Sequence, residues 1–166
     1  MIVFDASTLI LLLKIDLIDT FISDYQGECI IPEKVENEIK SGDKIESLTL
    51  QKLIENRKIR VVKLKNSDLV KKLMEDFSID KGEAEAITLA LQKHADIVAT
   101  DDRNAIRACK LLEINFTTAI AILIRSYEKK LLEREEALIK LKRLKSVARY
   151  KKEILDNAAK LIKGGK

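Results

Sequence analysis

Several residue types that would point to a specialised kind of protein are scarce in this sequence. Its 166 residues include no tryptophan, one proline, five glycines, two cysteines and one histidine. Cys29 and Cys109 are too few for a disulfide framework, and without a CxxC pair or a second histidine we do not expect a zinc site. The apolar run at residues 9–13 is far shorter than the roughly 20 residues that span a membrane. The N-terminus also lacks the regions of a signal peptide. We therefore expect a cytoplasmic protein that does not insert into membranes.

The composition is that of a chain that folds into a single domain. Hydrophobic residues make up 46% and charged residues 35%, which excludes a disordered or low-complexity chain. The formal net charge of +4 is too small to identify a nucleic-acid-binding protein. The charge is uneven, because residues 1–126 carry 18 basic and 21 acidic residues, whereas residues 127–166 carry 13 and 6. We expect one domain over residues 1–166, with an α/β core at 1–126 and a basic helical tail at 127–166 packed on it.

Short apolar runs alternate with helical patterns along residues 1–116. Strands are predicted at 2–5, 28–31, 59–62, 96–99 and 114–116, and helices at 9–17, 32–40, 45–56, 67–77, 80–93 and 102–112. From residue 117 onward the pattern is only helical. Such alternation predicts an α/β fold with a mostly parallel central sheet covered by helices on both faces.

Acidic residues stand where such a sheet collects its ligands, at the carboxyl ends of strands. Asp5 ends the first predicted strand, Asp101 and Asp102 follow the fourth, and the helical residues Glu38 and Glu83 border the same region. Each also has a simpler interpretation. Glu83 completes a capping box with Asp80, Asp102 can cap the next helix, and Glu38 can be a solvated glutamate.

Asp5 is the least easily explained of these acids. We expect Ser7 or Thr8 to cap the first helix, which leaves the Asp5 carboxylate in need of another partner. Carboxylates held close together repel unless a cation lies between them. Oxygen ligands without a histidine or cysteine cluster select hard ions, so the expected cofactor is Mg²⁺ or Mn²⁺.

The segments that hold these acids resemble a PIN-domain nuclease. The similar segments are 2–7 (IVFDAS), 31–39 (IPEKVENEI), 82–87 (GEAEAI) and 95–103 (ADIVATDDR), and the likeness extends to the tail. It is strongest to the archaeal and bacterial branch related to VapC toxins. The resemblance implies a three-layer α/β/α fold with a C-terminal helical extension. It also implies a Mg²⁺- or Mn²⁺-dependent endoribonuclease that hydrolyses RNA through a metal-bound water, acts as the toxin of a toxin–antitoxin pair, forms a homodimer and binds an antitoxin protein.

Site residues are transferred from this resemblance motif by motif. The implied catalytic residues and metal ligands are Asp5, Glu38, Glu83 and Asp102, with Asp101 as an auxiliary metal ligand. Glu83 is preferred to Glu85 because residues two apart on a helix point in different directions. The implied hydroxyl supports, which orient carboxylates, are Ser7 and Thr100.

Two arginines follow the fourth acid at helical spacing. Arg103 and Arg107 share one helix face, where they either contact substrate phosphates or are simply solvated. The basic tail has the same two interpretations. Residues 118–124 (TAIAILI) are apolar nearly all round, so this helix needs cover from the tail, a second copy or an antitoxin segment.

Other functions remain open at this stage. A catalytically silent PIN-like module that binds RNA or protein is the main alternative, although all four acidic positions are filled. A haloacid-dehalogenase-like phosphatase needs a second aspartate where Ser7 stands. A receiver domain needs an aspartate at the end of the third strand, where the sequence reads VVKL.

Overall fold

The computed structural model describes residues 1–65 and 68–164. It contains five strands and ten helices within those residues. The strands are β1 (Ile2–Phe4), β2 (Cys29–Pro32), β3 (Arg60–Val62), β4 (Ile97–Ala99) and β5 (Phe116–Thr117). The helices are α1 (Ala6–Lys14), α2 (Ile18–Asp24), α3 (Glu33–Lys40), α4 (Lys44–Glu55), α5 (Asp68–Phe77), α6 (Lys81–Lys93), α7 (Arg103–Leu111), α8 (Ala119–Glu128), α9 (Arg134–Val147) and α10 (Lys152–Lys163).

The strands form one parallel sheet in the order β3-β2-β1-β4-β5. Alternate residues of β1 enter different cores, since Ile2 and Phe4 belong to one buried cluster and Val3 to the other. The first cluster is completed mainly by α1–α4 and α8–α10, and the second by α5–α7. The predicted α/β/α arrangement with a parallel central sheet is therefore confirmed.

The sheet topology fixes where a ligand can bind. The chain moves outward from β1 to β2 and β3, and then returns to the other side of β1 for β4 and β5. The strand order thus reverses between β1 and β4, and the crevice beyond their carboxyl ends is where open parallel sheets bind ligands. Asp5 follows β1 and Asp101 follows β4, so both stand at this crevice.

For α3 and α1, the sheet explains why the helix starts at a residue other than the predicted one. Pro32 was expected as the first helical residue, but its backbone is extended (φ −72°, ψ 158°) because it is still paired to Val62 in the sheet, and α3 begins at Glu33. The N-cap of α1 is Asp5 and neither Ser7 nor Thr8, because β1 ends one residue earlier than expected and the helix begins at Ala6. Ser67, the predicted start of the helix at 67–77, lies outside the described residues.

The tail helices cover the apolar surface of α8. Ile120, Ile122 and Leu123 are buried, and they share one core cluster with Leu141 and Leu144 of α9 and with residues of α10. The chain's own tail therefore provides the cover that a second copy was considered for. Within the described residues, no helix combines the length and the apolar character needed to cross a membrane.

Lys140 fastens α9 to the first helix. Its side chain is only 6% exposed, and its Nζ donates hydrogen bonds to the carbonyl oxygens of Ile15 (3.0 Å) and Asp16 (2.9 Å), just beyond α1. These carbonyls would otherwise lack partners at the end of the helix. A buried charge used in this way is costly to remove, because both acceptors lose their donor.

We predict that Lys140→Met lowers the free energy of unfolding by about 1–3 kcal/mol, the range for charged hydrogen bonds and orphaned buried acceptors. Urea unfolding followed by circular dichroism measures this change. Lys142→Met is the matched control, because Lys142 is exposed on the same helix. Equal effects of the two substitutions would contradict the capping role of Lys140.

Candidate active site

Asp5 lies between β1 and α1 at the crevice and is only 1% exposed. As the N-cap of α1, its Oδ1 accepts hydrogen bonds from the backbone N–H of Thr8 (2.8 Å) and the hydroxyl of Ser7 (3.1 Å). Its Oδ2 is buried and has no hydrogen-bond partner in the described part of the chain. The first turn of α1 therefore supplies hydrogen-bond donors to Oδ1 of Asp5 but none to Oδ2.

Burial raises the pKa of Asp5 from 3.8 to about 6. The nearby hydroxyl of Thr100 and the N–H of Thr8 act in the opposite direction, and the charge of Asp101 adds to the increase. A carboxylate that is this deeply buried is costly to ionise without a compensating positive charge.

Asp102 is the N-cap of α7, on the other side of the crevice. Its Oδ1 accepts hydrogen bonds from the backbone N–H groups of Asn104 (2.8 Å) and Ala105 (2.9 Å). Its own N–H donates to the hydroxyl of Thr100 at 3.4 Å. Asp102 is thus both the cap of α7 and a member of the acidic group, with its carboxylate fixed by two backbone donors.

Asp101 has different surroundings. Oδ2 accepts hydrogen bonds from the Thr8 hydroxyl (2.7 Å) and the Ala119 N–H (3.0 Å), and Oδ1 accepts one from the Tyr150 hydroxyl. Both oxygens are therefore committed to holding α1, α8 and the segment after α9 together. This favours Asp102 over Asp101 as the residue that contacts a cation, and it gives Asp101 a positioning role.

Glu83 stands at the start of α6 and forms the capping box with Asp80. Glu83 Oε2 accepts a hydrogen bond from the Asp80 N–H (3.0 Å), and Asp80 Oδ1 accepts one from the Glu83 N–H (2.9 Å). The pKa of Glu83 is raised from 4.5 to about 7, first by burial and then by the charges of Asp80, Asp102 and Asp5. Glu83 therefore belongs electrostatically to the same acidic group as Asp5 and Asp102.

Glu38 approaches the same helix start from α3. A Cβ added at Gly82 would lie only 2.6 Å from Glu38 Oε2, so the missing side chain at position 82 makes room for this carboxylate. The pKa of Glu38 is raised by burial and by Asp80 and Glu85, whereas Lys34 lowers it. The charges that shift the pKa of Glu38 thus belong to residues of α3 and of the start of α6. Glu38 therefore lies next to the acidic group of Asp5, Glu83 and Asp102 and is not coupled to it.

A cavity of about 390 Å³ opens over this acidic group. Its polar lining includes Ser7, Glu83, Asp101 and Asp102. The structure therefore brings four of the predicted site residues to one cavity, with Asp5 and Thr100 buried beside it. Arg103 and Arg107 are exposed on α7 and are not among the residues lining this cavity.

Seven of the residues that line this cavity were not predicted as site residues, and Lys14 and Tyr150 are two of them. Lys14 could have been found from helical periodicity, because positions 7, 10 or 11, and 14 share one face of α1. Tyr150 could not have been found in this way, because its contact with Asp101 joins residues 49 positions apart. Only the overall similarity of the tail to PIN proteins pointed to it.

The donor set fits a hard divalent cation. Within residues 1–65 and 68–164, no three His, Cys, Asp or Glu side chains stand in an arrangement that could hold a metal ion. The buried Asp5 Oδ2 nevertheless lacks a partner, and the pKa values of Asp5, Glu38 and Glu83 are all raised. A cation would give Asp5 Oδ2 a partner and would lower the pKa values of the three carboxyl groups. The ligands available to it are all oxygens.

The raised pKa of Asp5 predicts how stability depends on pH in the absence of divalent cations. A carboxylate with a pKa near 3.8 when unfolded and about 6 when folded binds its proton more tightly in the folded state. Its contribution is therefore present at low pH and is lost as the pH rises through about 4 to 6. We predict that this single group lowers the free energy of unfolding by about 1–2 kcal/mol between pH 5 and pH 8 in chelator.

Urea unfolding of the parent and of Asp5→Asn at both pH values isolates this contribution. The amide cannot ionise, so the variant is expected to lose this part of the pH dependence. Parallel pH dependence in the two proteins would show that Asp5 titrates normally.

Comparison with known proteins identifies the family of this chain. No curated protein matches the chain at a significant level. A family model described as a PIN domain, DUF3368, matches residues 1–163 and so includes the sheet, the acidic crevice and the tail helices. PIN domains are typically nucleases, and their members generally use divalent metals. The chain belongs to the PIN-domain family.

Proposed function

We propose that this protein is a Mg²⁺- or Mn²⁺-dependent endoribonuclease that hydrolyses RNA phosphodiester bonds at the acidic cavity. The observation that carries the proposal is the buried, unpartnered Oδ2 of Asp5, which lies at the strand-order reversal among acids of raised pKa. An acidic group built only to stabilise the fold would not be expected to leave a carboxylate oxygen buried without a partner.

The proposed cation ligands are Asp5, Glu83 and Asp102, with Glu38 joining from α3. When bound, the cation supplies positive charge that activates a water and offsets the charge of the phosphodiester. Ser7 holds Oδ1 of Asp5, and Thr100 accepts the Asp102 N–H, so each hydroxyl orients part of the acidic group. Asp101 positions these elements through the hydrogen bonds that it accepts from Thr8, Ala119 and Tyr150.

Helix starts contribute to the same site. Asp5, Glu83 and Asp102 stand at the N-termini of α1, α6 and α7, where the backbone N–H groups give the helix a partial positive charge. This charge favours ionised carboxylates in the first turn. It also makes the crevice less repulsive to a phosphate than three carboxylates alone would be.

The biological role is proposed from the similarity to the VapC-related branch. We propose that the protein is the toxin of a toxin–antitoxin pair and acts as a homodimer held inactive by an antitoxin. A small reading frame directly upstream of the gene would support this role. The catalytically silent module remains the alternative, and the cleavage experiment below separates the two.

Cleavage of single-stranded RNA should require Mg²⁺ or Mn²⁺ and stop in chelator. We predict that Asp5→Asn and Asp102→Asn each reduce the cleavage rate more than about 100-fold, because removal of a ligand should exceed the 10- to 100-fold cost of removing a ligand's supporting group. Asp156→Asn is the matched control, since Asp156 is exposed on α10. Cleavage by Asp5→Asn at the parent rate would refute the metal assignment, and no cleavage by the parent with either ion would favour the silent module.

Substrate contacts by the exposed arginines can be tested separately. If Arg103 and Arg107 contact phosphates, the double variant Arg103→Ala, Arg107→Ala should bind RNA more weakly. The slope of log affinity against log salt should also flatten by roughly one unit for each lost contact. Fluorescence anisotropy over a series of salt concentrations measures both quantities. An unchanged slope would mean that these arginines are only solvated.

A further inference from the structure

The cavity over the acidic group has an apolar wall that phosphodiester hydrolysis alone does not require. Ile10 and Leu11 of α1 line it from one element, and Val147, Ala148 and Tyr150 line it from the end of α9 and the segment that follows. Val147, the last residue of α9, is a large apolar residue, yet its side chain is 43% exposed. A metal-ion site needs oxygen ligands, so this wall calls for a different occupant.

The same cavity also has two cationic residues. Lys14, in the last turn of α1, and Arg149, in the segment between α9 and α10, are both exposed and both line it. One cavity thus combines carboxylates, two cations and an apolar wall. These are the groups that would meet the phosphate and the base of a single nucleotide, and the volume of about 390 Å³ falls in the range of roughly 300–1,000 Å³ typical of small-ligand sites.

The position of the apolar wall is fixed before any ligand arrives. The Tyr150 hydroxyl donates a hydrogen bond to Asp101 Oδ1 and accepts one from the Ile120 N–H at 3.2 Å. Ala148 is already extended (φ −118°, ψ 154°), so the chain leaves α9 directly along the cavity. A wall held at both the acidic group and α8 does not need to be ordered on binding, which reduces the entropic cost of binding.

We propose that residues 147–150, together with Ile10 and Leu11, form a subsite for a nucleobase next to the scissile phosphate. This inference rests on the proposed nuclease function and adds to it the form of the substrate. The base would pack on the apolar wall, while Lys14 and Arg149 attract the flanking phosphates. A base in a duplex is stacked and paired, so only an unpaired nucleotide can enter the cavity without the cost of opening the helix.

Binding measured in chelator tests the subsite without cleavage. The probes are a labelled single-stranded RNA oligomer and an abasic oligomer of the same length, which keeps the sugar–phosphate chain and lacks the bases. We expect the complete RNA to bind roughly ten-fold or more tightly, because burying some tens of Å² of apolar surface between a base and this wall contributes on that scale. Equal affinity for the two oligomers, or no measurable binding of either, would overturn the proposal.

Val147→Ser identifies the wall itself. We expect this variant to weaken binding of the complete RNA about three- to ten-fold and to leave binding of the abasic oligomer unchanged. Ile139→Ser is the matched control, because Ile139 is 54% exposed on the same helix and is not among the residues lining this cavity. Equal losses from both substitutions, or equal losses of both oligomers with Val147→Ser, would place the base elsewhere. Urea midpoints of the two variants verify that each remains folded.

The outcomes also separate this proposal from the proposed function. Base-dependent binding without Mg²⁺- or Mn²⁺-dependent cleavage would retain the subsite and reject the nuclease. Cleavage without any difference between the complete and abasic oligomers in binding would retain the nuclease and reject the subsite.

Discussion

The arrangement of the site depends on the hydrogen bonds that Asp101 accepts. Its carboxylate receives the Thr8 hydroxyl from α1, the Ala119 N–H from α8 and the Tyr150 hydroxyl from the segment after α9. Thr8 also donates its backbone N–H to Asp5, so this one residue of α1 connects the carboxylates of Asp101 and Asp5. Parts of the chain that are far apart in sequence are therefore held around a single acid, and the shape of the cavity follows from that attachment.

Much of the fold follows from local patterns in the sequence. The alternation of apolar runs and helical periodicity predicts the strands and most helices, because each pattern is contained in a few neighbouring residues. The first helix cap was wrong for a different reason. Ser7 is a good cap by residue type, but the sheet ends at Phe4, and this geometric limit makes Asp5 the residue before the first helical turn.

The candidate site was only partly predictable. Acids at strand ends and a helix start could be found from position alone, and the structure brings Asp5, Glu83 and Asp102 into one electrostatic group. Helix capping and the acidic site had been treated as competing interpretations of Glu83 and Asp102, yet the structure combines them. The hydrogen bond from Tyr150 to Asp101 could not be predicted, because no local pattern encodes a contact between a tail residue and an acid after β4.

Because Lys140 holds the end of α1, the order in which the chain is synthesised determines when the site can form. Helix α1 is synthesised before the residues that hold it, because its far end is bound by Lys140 and its near end is connected through Asp101 to Tyr150. Both attachments come from residues 140–150, which follow α1 much later in the sequence. The nascent protein can form β1 and α1 early, but it cannot complete the cavity until α9 and the segment after it have been made. Assembly of the finished site is therefore delayed until residue 150 has been synthesised.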